Sequence, residues 1–155
     1  MTVFSREADS RYVWRREAVP ADRWVGIVLG VEGWRRIAPE RVAGGRDLQQ
    51  PDFDQEVALV ASMGTMPSGG YAIRVRRVQY EAAGDGSPAA VRVEIEAASP
   101  GPGDFVTMAL THPSDVVVIP RRAWPEGVLA RLAAGEVRLD VVDQDGRNWG
   151  PGHVL

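Results

Sequence analysis

The short sequence THPSD, at residues 111–115, brings together the side-chain types of a hydrolase. His112 could act as a base, Ser114 as a nucleophile and Asp115 as the group that orients the histidine. Side chains this close in sequence rarely converge on one substrate atom, and serine or aspartate next to proline commonly closes a turn. The sequence therefore predicts a turn here and no catalytic residue, and a hydrolase is the least favoured function.

Two other patterns resemble metal sites but lack essential ligands. His112 and His153 are the two histidines of the chain, and neither stands at a spacing typical of a metal motif. The acidic run at residues 52–56 alternates carboxylates as a calcium loop does, but Val57 and Met63 occupy the positions where that loop needs glycine and glutamate. The sequence therefore predicts no metal ion.

Composition and charge exclude several further classes. Acidic residues outnumber basic ones by 21 to 18, and the resulting net charge of −3 does not favour nucleic-acid binding. No cysteine is present, which excludes disulfides and thiolate chemistry. The glycine-rich stretches GPGD and GGY precede neither a lysine nor a clear helix start, so no phosphate-binding loop and no cofactor are predicted.

No apolar run is long enough to predict a membrane span, and the N-terminal residues lack the apolar core of a signal peptide. The compartment is therefore unknown, with the cytoplasm expected unless the chain derives from an exported precursor.

Short apolar runs between turns predict the elements that position these residues. The chain contains 17 glycines and 11 prolines, as expected for many short strands. Strands are predicted over RYVWRRE, RWVGIVLG, EVALVASMG, YAIRVRRVQYE, VRVEIEA, FVTMALT, VVVIP and EVRLDVVD. Short helices are predicted in VEGWRRIAPERVAGG and WPEGVLARLAAGE. The fold class is mainly β, bordering on α+β: an antiparallel β-sandwich or a partly open barrel with one or two short helices.

Three strands carry more specific expectations. Residues 57–61 are continuously apolar, which predicts a central strand covered on both faces. In YAIRVRRVQYE the apolar alternation slips by one residue, which predicts a β-bulge at Arg76 and Arg77. Arg74 and Arg76 of this strand are expected to face Glu94 and Glu96 across a hairpin.

The stretch GTMPSGGYAIRV sets a proline, a serine and two glycines directly before a strand. Glycine takes positive φ at no steric cost, but one tight turn seldom needs all of these residues. Residues 67–71 therefore form either a recognition loop or a packed structural corner, in which Tyr71 buries its ring at the start of the strand.

A series of small motifs follows in a fixed order between residues 50 and 121. DF stands before the apolar strand, a Pro-Ser-Gly-Gly-Tyr corner follows it, PGPG fills the next loop, and THP precedes VVVI. Together these motifs resemble the C-terminal domain of the protease complex subunit PrcB family. The resemblance implies an accessory module that associates with a protease and contributes no catalytic residues. The corner is also similar to the Pro-Thr-Thr-Gly-Tyr loop of chagasin-type cysteine-peptidase inhibitors, whose loops insert into a protease cleft.

We therefore expect a PrcB-like β domain over residues 1–122, with its motif core at 50–121. Residues 123–155 are expected to form a C-terminal extension that adds a short helix and a strand to the same domain, and its tail RNWGPGHVL is expected to be irregular.

The predicted function is that of a non-catalytic accessory module that binds a protein and associates with or modulates a protease. Its predicted binding residues are Pro67, Ser68, Gly69, Gly70, Tyr71, Pro102, Gly103 and Asp104. The alternative is a β module that binds a small ligand or a glycan through exposed tryptophans. The oligomeric state is not determined by the sequence.

Overall fold

Two β-sheets pack face to face in this protein. A computed structural model describes residues 1–14, 22–37 and 50–155. These residues form nine strands: β1 Thr2–Ser5, β2 Trp24–Val28, β3 Glu56–Ser62, β4 Ala72–Glu81, β5 Ala90–Ala98, β6 Ser114–Pro120, β7 Arg138–Val142, β8 Asn148–Pro151 and β9 His153–Val154. They also form two α-helices, α1 Val31–Ile37 and α2 Val128–Ala133, and two 3-10 turns, Ser10–Tyr12 and Arg121–Ala123.

The first sheet has five strands in the order β1-β4-β5-β7-β8, and the second has four in the order β6-β3-β2-β9. Most neighbouring strands are antiparallel, but β7 runs parallel to β5 and β9 runs parallel to β2. The predicted mainly β class is confirmed, and of the two predicted architectures the structure is the sandwich.

Aliphatic side chains fill the space between the sheets because the strands alternate buried and exposed residues. Val91, Val93 and Ile95 of β5 are buried in this core, whereas the intervening side chains face outward. A second apolar layer covers the outer face of the four-stranded sheet, where Trp34 of α1 packs with Val60 of β3 and its neighbours. The prediction of a central strand covered on both faces is confirmed, since β3 lies between β6 and β2 and its alternate side chains are buried in the core and in the outer apolar layer.

Both predicted helices are present and short. α1 has seven residues and α2 has six, and Gly135, with a φ of 75°, follows the end of α2. The rest of the first predicted helical segment, residues 38–45, lies outside the described residues. No helix in the described parts of the chain is both long and apolar enough to cross a membrane.

The predicted bulge lies in β4, where the register with β5 slips between Val75 and Arg77. The predicted hairpin is also present. Arg74 lies 2.8 Å from Glu96, and Arg76 lies 3.6 Å from Glu96. Glu94 faces Arg77 instead, at 3.9 Å, because the bulge shifts the register. The bulge and the contacts of both predicted arginines with Glu96 are therefore confirmed, whereas the partner of Glu94 was not predicted.

Two side chains complete the hydrogen bonding of β4 beyond the end of β1. β1 reaches only as far as Arg77, so the backbone of Val75 has no strand beside it on that edge. The Val75 N–H group donates to Asp115 Oδ2 at 2.8 Å, and Arg6 Nη1 donates to the Val75 carbonyl at 3.0 Å. Arg6 Nη1 also donates to Asp115 Oδ2, at 2.7 Å. Because Asp115 belongs to β6, this contact joins the two sheets.

A single carboxylate organises the turn DQDG between β7 and β8. Asp143 Oδ1 accepts the backbone N–H groups of Asp145 and Arg147, both at 2.9 Å, and Asp143 Oδ2 accepts Trp149 Nε1 at 3.1 Å. Desolvation raises the pKa of Asp143, but the hydrogen bonds from Trp149, Arg147 and Asp145 outweigh it. The pKa of Asp143 therefore lies below its ordinary value of 3.8.

Three predictions about individual segments are wrong. The first is the strand over RYVWRRE, because Ser10–Tyr12 forms a 3-10 turn and Val13 makes only an isolated bridge to Val117. The part of this prediction beyond Trp14 lies outside the described residues. The second is the strand over FVTMALT. Residues 105–110 form a loop, and Thr111 makes an isolated bridge.

The third wrong prediction is the irregular tail. β8 pairs with β7 in the five-stranded sheet, and β9 pairs with β2 in the four-stranded sheet, so the tail crosses from one sheet to the other. The pairing of β9 with β2 joins residues far apart in the sequence, and a two-residue strand has no periodicity that could reveal it.

Replacing Asp115 by alanine is expected to lower the free energy of unfolding by about 1–3 kcal/mol, because a buried N–H group and a guanidinium lose their acceptor. Urea denaturation measures the change. Asp85→Ala, in the exposed turn between β4 and β5, is the matched control and should change stability by less than about 0.5 kcal/mol. Equal unfolding midpoints for the two variants would contradict the role of Asp115.

The stability contribution of Asp143 is expected to depend on pH. Since the folded-state pKa is lowered, the contribution is complete above the unfolded value of 3.8 and is lost as the pH falls through the folded value. The difference in Tm between the wild type and Asp143→Asn should therefore be largest near neutral pH and shrink in acid. A difference that stays constant from neutral pH to about pH 2 would contradict this account.

Candidate functional site

Two connections lie side by side at one end of the sandwich: residues 63–71, between β3 and β4, and residues 99–113, between β5 and β6. Met66 and Thr111 exchange two backbone hydrogen bonds, at 2.8 and 3.0 Å. Thr111 Oγ1 also donates to the Ser68 carbonyl at 2.7 Å. These hydrogen bonds hold the two connections together, and we call the two connections the loop pair.

The glycines of the corner make close contact with the second connection. The Gly69 N–H group donates to the Thr107 carbonyl at 2.9 Å. Gly70 has a φ of +86°, and a Cβ atom there would stand 2.8 Å from Val106 Cγ1 and 2.9 Å from Pro100 Cβ. Both the backbone conformation and the lack of space require glycine at this position.

The structure places every predicted binding residue in the loop pair. Pro67 and Gly70 are exposed, and the other three corner residues are half-buried. Exposed residues 102–104 belong to a turn in which the Gly101 N–H group donates to Asp104 Oδ2 at 2.6 Å. The described contacts between the corner and this loop run through residues 100, 106, 107 and 111.

The most exposed large apolar side chains of the loop pair were not among the predicted binding residues. Phe105, Met108 and Leu110 have relative exposures of 105%, 87% and 69%. The assignment of FVTMALT to a strand implied that alternate apolar side chains were buried. Proline and glycine motifs on both sides of the segment were the available signal for a loop.

The side chains of the THPSD turn are not arranged as a catalytic triad. His112 Nδ1 lies 3.2 Å from Thr65 Oγ1, and Asp115 is bonded to Arg6 and the Val75 backbone. The buried Ser114 hydroxyl has no hydrogen-bond partner among the described residues. A triad needs the aspartate on the histidine and the histidine on the serine, and neither contact is found here.

The acidic run ahead of β3 supports its own turn. Asp52 Oδ1 accepts the Asp54 N–H group at 3.2 Å, and Glu56 Oε1 accepts the Asp52 N–H group at 3.0 Å. Within the described ranges, no group of three or more histidine, aspartate or glutamate side chains is placed to hold a metal ion.

None of the five tryptophans is exposed. Trp34 and Trp124 are buried, and the remaining three are half-buried. The ring of Trp24 stacks on His153 with 5.4 Å between centroids, and the Arg23 guanidinium lies 4.1 Å from the Trp149 ring centre. These two indole faces are therefore occupied by side chains of the same chain.

Alanine substitutions at two glycines of the loop pair distinguish the energetic cost of close packing from the cost of backbone strain. Gly70 and Gly103 have φ values of +86° and +85°, but no atom lies within 4 Å of a Cβ at Gly103. Gly103→Ala should cost only the strain of a left-handed residue, about 1–2 kcal/mol. Gly70→Ala should cost about 1–3 kcal/mol more, because its Cβ overpacks the contact with Pro100 and Val106. Urea unfolding compares the two variants, and equal losses would show that the corner is loosely packed.

Comparison with known proteins identifies one segment of the chain. Residues 57–120, which run from the second residue of β3 to the end of β6 and include the loop pair, match the family model described as PrcB C-terminal. No curated protein and no solved structure matches the chain significantly. The resemblance predicted from the sequence is thereby confirmed: residues 57–120 carry the pattern of the PrcB C-terminal family.

Proposed function

We propose that this protein is a non-catalytic accessory module that binds a protein partner, and that the partner is a protease or a protease precursor. The observation that carries the proposal is the exposure of Phe105, Met108 and Leu110 on one short loop. Large apolar side chains grouped on a surface are typical of interaction sites. The match of residues 57–120 to the PrcB C-terminal family supports the choice of a protease.

The loop pair has the properties of a pre-organised binding surface. Backbone bonds at Met66 and Gly69 hold the two connections together, so little conformational freedom is left to lose on binding. Ser68 and Asp104 provide polar groups beside the apolar side chains. An apolar centre with a polar rim is the usual anatomy of a protein interface.

The glycan-binding alternative has less support. A glycan platform needs an accessible aromatic face, whereas Trp24 and Trp149 already contact His153 and Arg23. The proposal for the loop pair relies instead on side chains that are exposed to solvent.

The proposal is tested with a partner isolated by affinity capture from the native organism and identified by mass spectrometry. We expect a peptidase or peptidase precursor whose cleavage of a fluorogenic peptide changes when the module is added. Replacing Phe105 and Met108 together by serine should weaken binding by about 2 kcal/mol or more, a factor of about 30, as expected for the loss of interface anchors.

Ala83→Ser, in the exposed turn between β4 and β5, is the control and should bind like the wild type. Equal affinity of the double variant and the control would overturn the loop pair as the binding site. A captured partner that is not a peptidase, and is not part of a peptidase complex, would overturn the proposed partner class.

A further inference from the structure

A groove of about 490 Å³ lies beside β4, next to the segment that follows β1. Its charged lining consists of Arg6, Arg74, Arg76, Arg77 and one acidic side chain, Glu7. The protein as a whole has a net charge of −3. Such a local excess of arginine is unexpected on an acidic protein and favours an anionic ligand.

The β-bulge explains why two consecutive arginines line the same groove. In a regular strand, neighbouring side chains point to opposite faces of the sheet. The register of β4 slips between Val75 and Arg77, and a bulge of this kind redirects side chains. Arg76 and Arg77 therefore both line the groove, although they are adjacent in sequence.

The four arginines differ in how fully their donors are used. Arg6 is bonded to Asp115 and Val75, and Arg74 donates from Nε to Glu96 at 2.8 Å. Arg76 approaches carboxylate oxygens no closer than 3.5 Å, and Arg77 no closer than 3.9 Å. Neither guanidinium makes a side-chain hydrogen bond within the described part of the chain. The guanidinium groups of Arg76 and Arg77 can therefore donate hydrogen bonds to a new partner.

Glu7 shows that a carboxylate fits this groove. Its Oε1 lies 3.5 Å from Arg76 Nη2, and its side chain has a relative exposure of 83%. Exposed ion pairs of this kind contribute little to stability. A carboxylate from another molecule can therefore replace Glu7 beside Arg76 at small cost.

We propose that this groove binds an acidic peptide segment, and that Arg76 and Arg77 donate hydrogen bonds to its carboxylates. The guanidinium fork matches the geometry of a carboxylate, and all four groove arginines already lie beside carboxylates of this chain. The negative net charge disfavours a long polyanion such as a nucleic acid. The inference rests on the proposed function only in assigning the acidic segment to the protein partner.

The test uses the full chain and a fluorescent peptide of eight glutamates, with an eight-glutamine peptide as the ligand control. Fluorescence anisotropy at low salt should detect the glutamate peptide and not the glutamine peptide. Binding should weaken with added salt. The double variant Arg76→Gln/Arg77→Gln should weaken binding about tenfold, since it removes two charge-assisted contacts.

Two further variants make the result specific. Arg92→Gln removes an arginine of similar exposure, 45% against 42% for Arg77, that does not line the groove, and it should bind like the wild type. Glu7→Gln removes the internal carboxylate and should strengthen binding by about two- to fivefold, as expected for an exposed ion pair. Thermal unfolding checks that each variant is folded.

The outcomes separate this inference from the proposed function. The variant with serine at positions 105 and 108 should bind the glutamate peptide like the wild type even though it loses the protein partner. No binding of the glutamate peptide, equal binding of the glutamine peptide, or an unchanged affinity in the Arg76→Gln/Arg77→Gln variant would overturn the groove as an acidic-peptide site. A single-stranded oligonucleotide that binds more tightly than the glutamate peptide would overturn the ligand class.

Discussion

The hydrogen bonding of Val75 constrains how the two sheets fit together. A backbone N–H or carbonyl group that leaves water must be paired, and β1 ends before it reaches Val75. Asp115 from β6 and Arg6 from the segment after β1 provide the missing partners. Since these side chains come from opposite sheets, they fix the bulged part of β4 against β6. Val75 follows the first connection of the loop pair by four residues and Asp115 follows the second by two, so this contact lies next to the loop pair.

Features that could be predicted from the sequence depend on local patterns. The apolar run at residues 57–61 indicated the central strand, and the slip of one residue in β4 indicated the bulge. The contacts that escaped prediction join distant residues. Arg6 and Asp115 are 109 positions apart, and the short strand β9 pairs with β2 across most of the chain. No periodicity within either partner encodes such a contact.

The segment FVTMALT shows why apolar composition alone did not predict the candidate site. A segment can form a strand only where a neighbouring strand has a free hydrogen-bonding edge. β5 already lies between β4 and β7, while β6 pairs with β3 on one side and receives the Trp14 N–H group on the other. Both strands that flank the segment are thus already paired, and Phe105, Met108 and Leu110 remain on an exposed loop. Which edges are available is a property of the complete topology.

One extra residue in β4 serves both the fold and the proposed groove. The slip keeps Val75 and Val78 in the core, although three positions separate them, and it lets Arg76 and Arg77 line one surface. A partner that contacted both the loop pair and the groove would meet an apolar surface and a positive one. β4 connects the two, since it begins directly after residue 71 of the loop pair and carries Arg74, Arg76 and Arg77 of the groove. Apolar contacts supply most of the affinity in such interfaces, whereas charges at the periphery steer and orient the partner. The proposed acidic segment would therefore add only about a tenfold gain in affinity and would act mainly on the rate and specificity of association, because the groove arginines are exposed.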